Sequence, residues 1–209
     1  MIARFVAPDA EITLRSPPPL DVPLAVERTE HDGVEVYHGE TLVAQGRTID
    51  LRLDVPAPPS LEEAEAARAR YAGLDDHAFP HCFVCGTDRA PGDGLRIWAG
   101  RVVGRDVWAS PWRPDDSVPT VDGILEQEII WSAMDCPGAW AVERATQAQP
   151  VVLGRMSARL ERPAHNDLTY IAMGWAIGED GRKLYSGTAL FDDRGCRYGF
   201  ALQTWIVIG

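Results

Sequence analysis

Asp122-Gly-Ile-Leu-Glu-Gln-Glu-Ile-Ile-Trp-Ser-Ala-Met-Asp-Cys-Pro-Gly-Ala-Trp140 reads as one amphipathic helix, closed by Pro137-Gly138 or just beyond. Four strand-like runs follow it, over 151–162, 169–177, 183–191 and 197–208. Glu179-Asp-Gly181 and Asp192-Asp-Arg-Gly195 supply tight turns between them. Strands over 95–98 and 101–110 precede the helix, with a Pro- and Asp-rich loop at 111–120. Strand, helix, then four antiparallel strands lays the helix on one face of a single curved sheet, an α+β arrangement. The β-α-β alternation of a parallel dinucleotide-binding sheet is absent.

The first 55 residues read as β, with strands over 11–15, 24–28, 34–37 and 42–53. Pro56-Ala-Pro-Pro59 is a linker that ends at Ser60, an N-cap with Glu63 three residues on, the spacing of a capping box. The helix over 61–71 has a thin apolar face and belongs on the surface. Leu14-Arg-Ser-Pro17, with Asp21-Val22 after it, matches Leu160-Glu-Arg-Pro163 followed by Asp167-Leu168, and an Asp-Gly turn comes next in both copies, at Asp32-Gly33 and Asp180-Gly181. The match implies a duplication in which the first copy keeps its later strands and lacks a leading strand and a central helix.

Length and composition fit a globular chain with a sizeable core: 209 residues, 45% hydrophobic and 24% charged. The net charge of −11 repels a phosphate backbone, so nucleic acid is not an expected partner. No run approaches the length of a membrane span, and the N-terminal apolar stretch is too short for a signal peptide. Four cysteines in a chain this long read as free thiols, which places the protein in the cytoplasm as an expectation.

Two stretches resemble the hotdog thioesterase-like superfamily. Cys82-Phe-Val-Cys-Gly86 with Gly94-Leu-Arg-Ile97 is similar to the opening of many small acyl-CoA thioesterase-like proteins, and Glu128 to Gly138 resembles a central hotdog helix. The resemblance covers roughly residues 80–208. It implies a long central helix wrapped by a curved antiparallel sheet, with residues 1–59 a partial hotdog-like unit, 60–79 a linker helix and 80–209 the complete domain. It also implies action on an acyl thioester such as acyl-CoA without a cofactor, and edge-to-edge pairing as a homodimer or as a tandem pseudo-dimer within the chain. Phenylacetate-type relatives carry His-Gly-Gly at the helix start, whereas no histidine lies between 82 and 164 here. Asp122-Gly123 or Gln127-Glu128 could stand in that place.

On a regular helix Glu128 and Asp135 project within roughly 20° of each other, with Trp131 and Ser132 between them. Ionised carboxylates are costly to bury unpaired, so this stripe needs water, donors or a ligand. By the resemblance Asp135 is the stronger catalytic candidate, activating water or attacking the carbonyl, and Glu128 the second. The plain alternatives are a helix-start acid at Glu128 and a solvated or backbone-bonded acid at Asp135. Trp131 and Ser132 are candidates for lining the substrate site. Arg155 and Arg159 share one strand face and could hold the phosphates of coenzyme A, or pair with local acids. His77, His81, Cys82 and Cys85 offer four metal donors within nine residues. Pro80 disfavours the helix that would bring the histidines together, and the usual second ligand pair is missing. The expectation is therefore no metal, with Cys82–Cys85 a buried strand start.

Overall fold

The computed structural model describes residues 2–208 apart from 8, 31, 147, 148 and the side chains of 143–146. After a 3-10 turn at Ile2–Phe5 come β1 (Asp9–Leu14), β2 (Ala25–Arg28), β3 (Val34–His38), β4 (Thr41–Thr48) and α1 (Leu61–Arg68). Then follow β5 (Gly100–Arg101), β6 (Trp108–Trp112), the small hairpin β7 (Thr120–Val121) and β8 (Ile124–Leu125), α2 (Gln127–Ala133) and α3 (Cys136–Thr146). The last strands are β9 (Val151–Leu160), β10 (Tyr170–Asp180), β11 (Lys183–Asp192) and β12 (Arg197–Val207). All but β7 and β8 join one ten-stranded sheet, in the order β2-β3-β4-β1-β9-β12-β11-β10-β6-β5.

The long helix expected over 122–140 is corrected at both ends. Asp122 and Gly123 take positive φ, +52° and +77°, and make the turn of the β7–β8 hairpin, the Asp-Gly signature of a type I′ turn. The helix therefore begins at Gln127. It breaks between Ala133 and Cys136, because Pro137 has no N–H for the Ala133 carbonyl and its ring crowds that carbonyl. Asp135 N donates to Ser132 O and Gly138 N to Asp135 O, three-residue spans that tighten the break. The Met134 and Asp135 carbonyls are met from the sheet: Gln203 Nε2, fully buried on β12, donates to them at 2.9 and 3.0 Å. Gln203 Oε1 accepts from the Ser186 hydroxyl at 3.0 Å and Trp205 Nε1 at 3.2 Å, so both ends of the amide are used. Gly138 is a glycine because a Cβ there would strike Gln203 Oε1, and a Cβ at Gly174 would strike the Pro137 carbonyl. The broken helix thus sits with its backbone directly on the sheet.

Both faces of the central strands are covered. On the helix side Ile129, Ile130, Trp131, Met134 and Trp140 pack with Ile12, Met156, Ala158, Tyr170 and Leu190. On the outer side Ile171, Met173, Trp175, Phe191 and Phe200 pack under Ala64 and Ala67 of α1 and under Leu51. The strand expected to run to residue 53 ends at Thr48, and residues 49–55 continue as a strap whose Ile49, Leu51, Leu53 and Val55 join this outer core. The capping box at Ser60 and Glu63 is present, and a Cβ at Gly100 would collide with the Ala67 carbonyl, so α1 also presses on the sheet. Residues 95–98 are not a strand; Leu95 N and Ile97 N donate to Phe83 O and Val84 O, an irregular pairing with the preceding loop.

The two halves of the sheet meet where β1 pairs antiparallel with β9. Glu11 lies opposite Ser157, and Ile12 opposite Met156. Leu14 and Leu160, which the repeat aligns, stand 146 positions apart, as do Glu11 and Ser157. At the Glu11–Ser157 pair, therefore, two positions that the sequence match aligns face each other across the junction. Ser157 Oγ donates to Glu11 Oε2 at 2.9 Å, and Arg47 Nη2 approaches Glu11 Oε1 at 2.7 Å.

Two outcomes are expected. Gln203→Leu keeps the volume but strands the Met134 carbonyl, and should cost about 1–3 kcal/mol of stability in urea denaturation. At Glu11 burial favours the neutral acid, but the bonds from Ser157 and Arg47 and the charge of Arg155 outweigh it and hold the carboxyl below its usual value of 4.5. A group depressed in the folded state adds stability above its unfolded pKa and loses it as pH falls through the folded one. Glu11→Gln should therefore flatten the acid limb of the stability–pH curve below about pH 4.5 and lower stability at neutral pH.

Candidate functional site

Asp135 occupies the break between α2 and α3 and stands at the start of α3. Its residue is only half-buried, but Oδ1 is sealed from solvent and has no hydrogen-bond partner among the described residues. Burial, with a smaller push from Cys82, raises its carboxyl to about 7. The N-terminus of α3 places the positive end of the helix dipole beside this acid.

Glu128 lies in the first turn of α2, where Arg4 Nη1 pairs with it at 3.0 Å and Arg4 also approaches Glu126 at 4.0 Å. Glu128 thus ties the helix start to the N-terminal 3-10 turn. The break separates the two acids onto different helical segments, so the shared stripe of a regular helix does not form. Ser132 Oγ donates to the Glu128 carbonyl at 2.7 Å, an ordinary back-bond within α2. Trp131 is buried in the helix-side core, its Nε1 without a partner among the described residues.

Arg155 and Arg159 are on the other side of the sheet. Their neighbours Met156 and Ala158 enter the helix-side core, so the arginines face outward. Arg155 Nε donates to Thr13 Oγ1 at 3.0 Å, and Arg159 Nε lies 3.6 Å from Asp9. Arg159 also lines an open crevice of about 420 Å³ with Arg52, Asp54, Glu161, Arg197 and Phe200. Because β9 is an interior strand, the sheet stands between these arginines and Asp135. On the helix side, a half-open hollow of about 550 Å³ runs beside α3, lined by Trp108, Ala141, Val142, Ala176 and Leu184 together with the acids Asp106 and Glu179.

Sequence reasoning missed the covering of Asp135. The loop from His77 to Gly86 folds over the start of α3 and is pinned by aromatic contacts. Tyr71 stacks on Trp98 with ring centres 6.3 Å apart and meets Trp140 edge-on at 4.5 Å, and His77 meets Trp140 at 5.3 Å. The Tyr71 hydroxyl donates to the Cys85 carbonyl at 2.9 Å. Gln203 was also missed; a lone glutamine in a strand-like run was its only signal.

No family model and no curated protein matches the sequence. Solved structures do match. The tesB protein of Mycobacterium avium subsp. paratuberculosis superposes over all of this chain and 82% of its own, with TM-score 0.62 at 11% identity. The E. coli PaaI protein from the phenylacetic acid degradation operon matches 70% of this chain and 96% of its own, with TM-score 0.53 at 11% identity. A thioesterase from Haemophilus influenzae matches 60% of this chain and 85% of its own, with TM-score 0.51 at 16% identity. No helix among the described residues is long and apolar enough to cross a membrane. Strand order, helix placement and these superpositions agree: the chain has the hotdog fold.

Proposed function

We propose that this protein hydrolyses an acyl thioester, an acyl-CoA in the first instance, with Asp135 as the activating carboxylate. The observation that carries the reading is the Asp135 carboxyl at the N-terminus of α3, its Oδ1 sealed from solvent and without a partner among the described residues. A carboxylate held there takes a proton from water as the water attacks the thioester carbonyl. The positive end of the α3 dipole meets the developing oxyanion. Collapse of the tetrahedral adduct breaks the C–S bond, and the proton held by Asp135 passes to the leaving thiolate. The products are a carboxylic acid and a free thiol. The hollow beside α3 takes the acyl chain: Ala141 is six residues from Asp135, about 9 Å along the axis. Glu128 keeps its place at the helix start, and Trp131 backs the site from the core. Among the superposed structures, the H. influenzae protein is named as a thioesterase.

We also infer that the chain is a double hotdog. Residues 1–59 supply an incomplete unit without leading strand or helix, 60–79 the connecting helix and 80–209 the complete unit. The β1–β9 register, the 146-residue offset and the full-chain superposition on the tesB protein support it. The junction then provides within one chain the edge pairing that separate hotdog subunits use to dimerise.

A second reading, an acyl-CoA binding protein without turnover, is favoured by the close backbone packing at Gly138 and Gly174. A panel of acyl-CoAs of increasing chain length, followed by release of free thiol, separates the two. Hydrolysis by the native chain should fall at least about 100-fold in Asp135→Asn, with the circular dichroism spectrum retained. Saturable binding with no thiol released from any member would overturn the hydrolase reading, as would full activity in Asp135→Asn.

A further inference from the structure

The fold completes a ligand set that is split in the sequence. The Cys82, Cys85 and Cys136 sulfurs all lie within 4.8 Å of one another, and Cys82 Sγ is 3.5 Å from Cys136 Sγ. Cys136 is the first residue of α3, 54 positions beyond Cys82. The second half of the donor set therefore comes from the broken helix, and Pro137 is what turns the chain there.

We propose that these three cysteines, as thiolates, bind a zinc ion that fastens the 77–86 loop to the start of α3. With metal–sulfur bonds of about 2.3 Å, the sulfur–sulfur edge of a tetrahedral site is about 3.8 Å, close to the spacing already present. The loop has the build of a metal knuckle. Gly86 N donates to the Cys82 carbonyl at 2.9 Å, and a Cβ at Gly86 would strike the Pro80 and Cys82 carbonyls, so the turn admits only glycine.

His77 supports the cluster from outside it. Its Nδ1 accepts the Phe79 N–H at 3.0 Å, which puts the ring proton on Nε2. That N–H faces Cys85, 3.2 Å from its carbonyl and 3.4 Å from its sulfur, the N–H···S donation that steadies a bound thiolate. The donor set is thus three sulfurs. Binding releases the thiol protons and leaves a site of net charge −1, which the N–H of His77 faces. Three soft donors select zinc over magnesium or calcium.

The test is metal content, so it stands or falls apart from hydrolysis. The chain, purified under reducing conditions without chelator, should carry about one zinc per molecule by mass spectrometry of the metal. Cys82→Ser, Cys85→Ser and Cys136→Ser should each hold less than roughly a tenth of that, while Cys196→Ser, at the exposed cysteine, should hold it all. Cobalt taken up by the native chain should show thiolate-to-metal charge-transfer absorption and the intense visible bands of a tetrahedral site, a readout that needs no variant to fold. A native chain that takes up neither metal, metal retained when all three cysteines are replaced, or a Cys82–Cys136 disulfide in the isolated protein would overturn the proposal.

Discussion

The missing N–H of Pro137 is the constraint on which the rest of the structure depends. It opens the hotdog helix at Met134 and Asp135, deep in the core, where freed carbonyls are costly. One side chain from the sheet answers that cost. The Gln203 amide satisfies both carbonyls with its nitrogen and is itself satisfied through its oxygen by Ser186 and Trp205. The break yields a second helix start inside the molecule, and that start is where Asp135 and Cys136 stand. An unbroken helix would have turned Asp135 into an ordinary mid-helix residue.

The second consequence concerns sides. The sheet is covered by the broken helix on one face and by α1 with the 49–55 strap on the other. This double cover explains why Tyr170 to Trp175 are all buried, in place of the alternation of a half-exposed strand. It also divides the polar chemistry. The outward arginines of β9 serve the junction of the two halves, pairing with Thr13, Glu11 and Asp9. Asp135 lies among the loop and helix of the other face.

Much of the architecture was legible. The last four strands, the capping box at Ser60 and the hairpin turns follow from alternation, Asp-Gly chemistry and cap spacing, which are local signals. The start of the central helix was misread because Asp122-Gly123 was counted into the amphipathic run, although that pair is stronger as a turn. Its interruption was misread because Pro137 was taken as an end and not as a break with helix resuming beyond it. The site was less legible, for a physical reason. Asp135 was singled out from a helical stripe that the break undoes, and the covering loop, Gln203 and the third sulfur are brought there by contacts 54 to 69 residues apart in the chain, which no local pattern encodes.

The residues opposite each other at the β1–β9 junction carry a further consequence. In a dimer of identical subunits, a position on the symmetry axis must face its own copy. A glutamate there would confront a second glutamate, and two like charges at hydrogen-bond distance repel. A single polypeptide carries no such obligation: here Glu11 meets a serine that donates to it. The centre of the sheet is chemically lopsided, with an acid on one strand and the hydroxyl that answers it on the next.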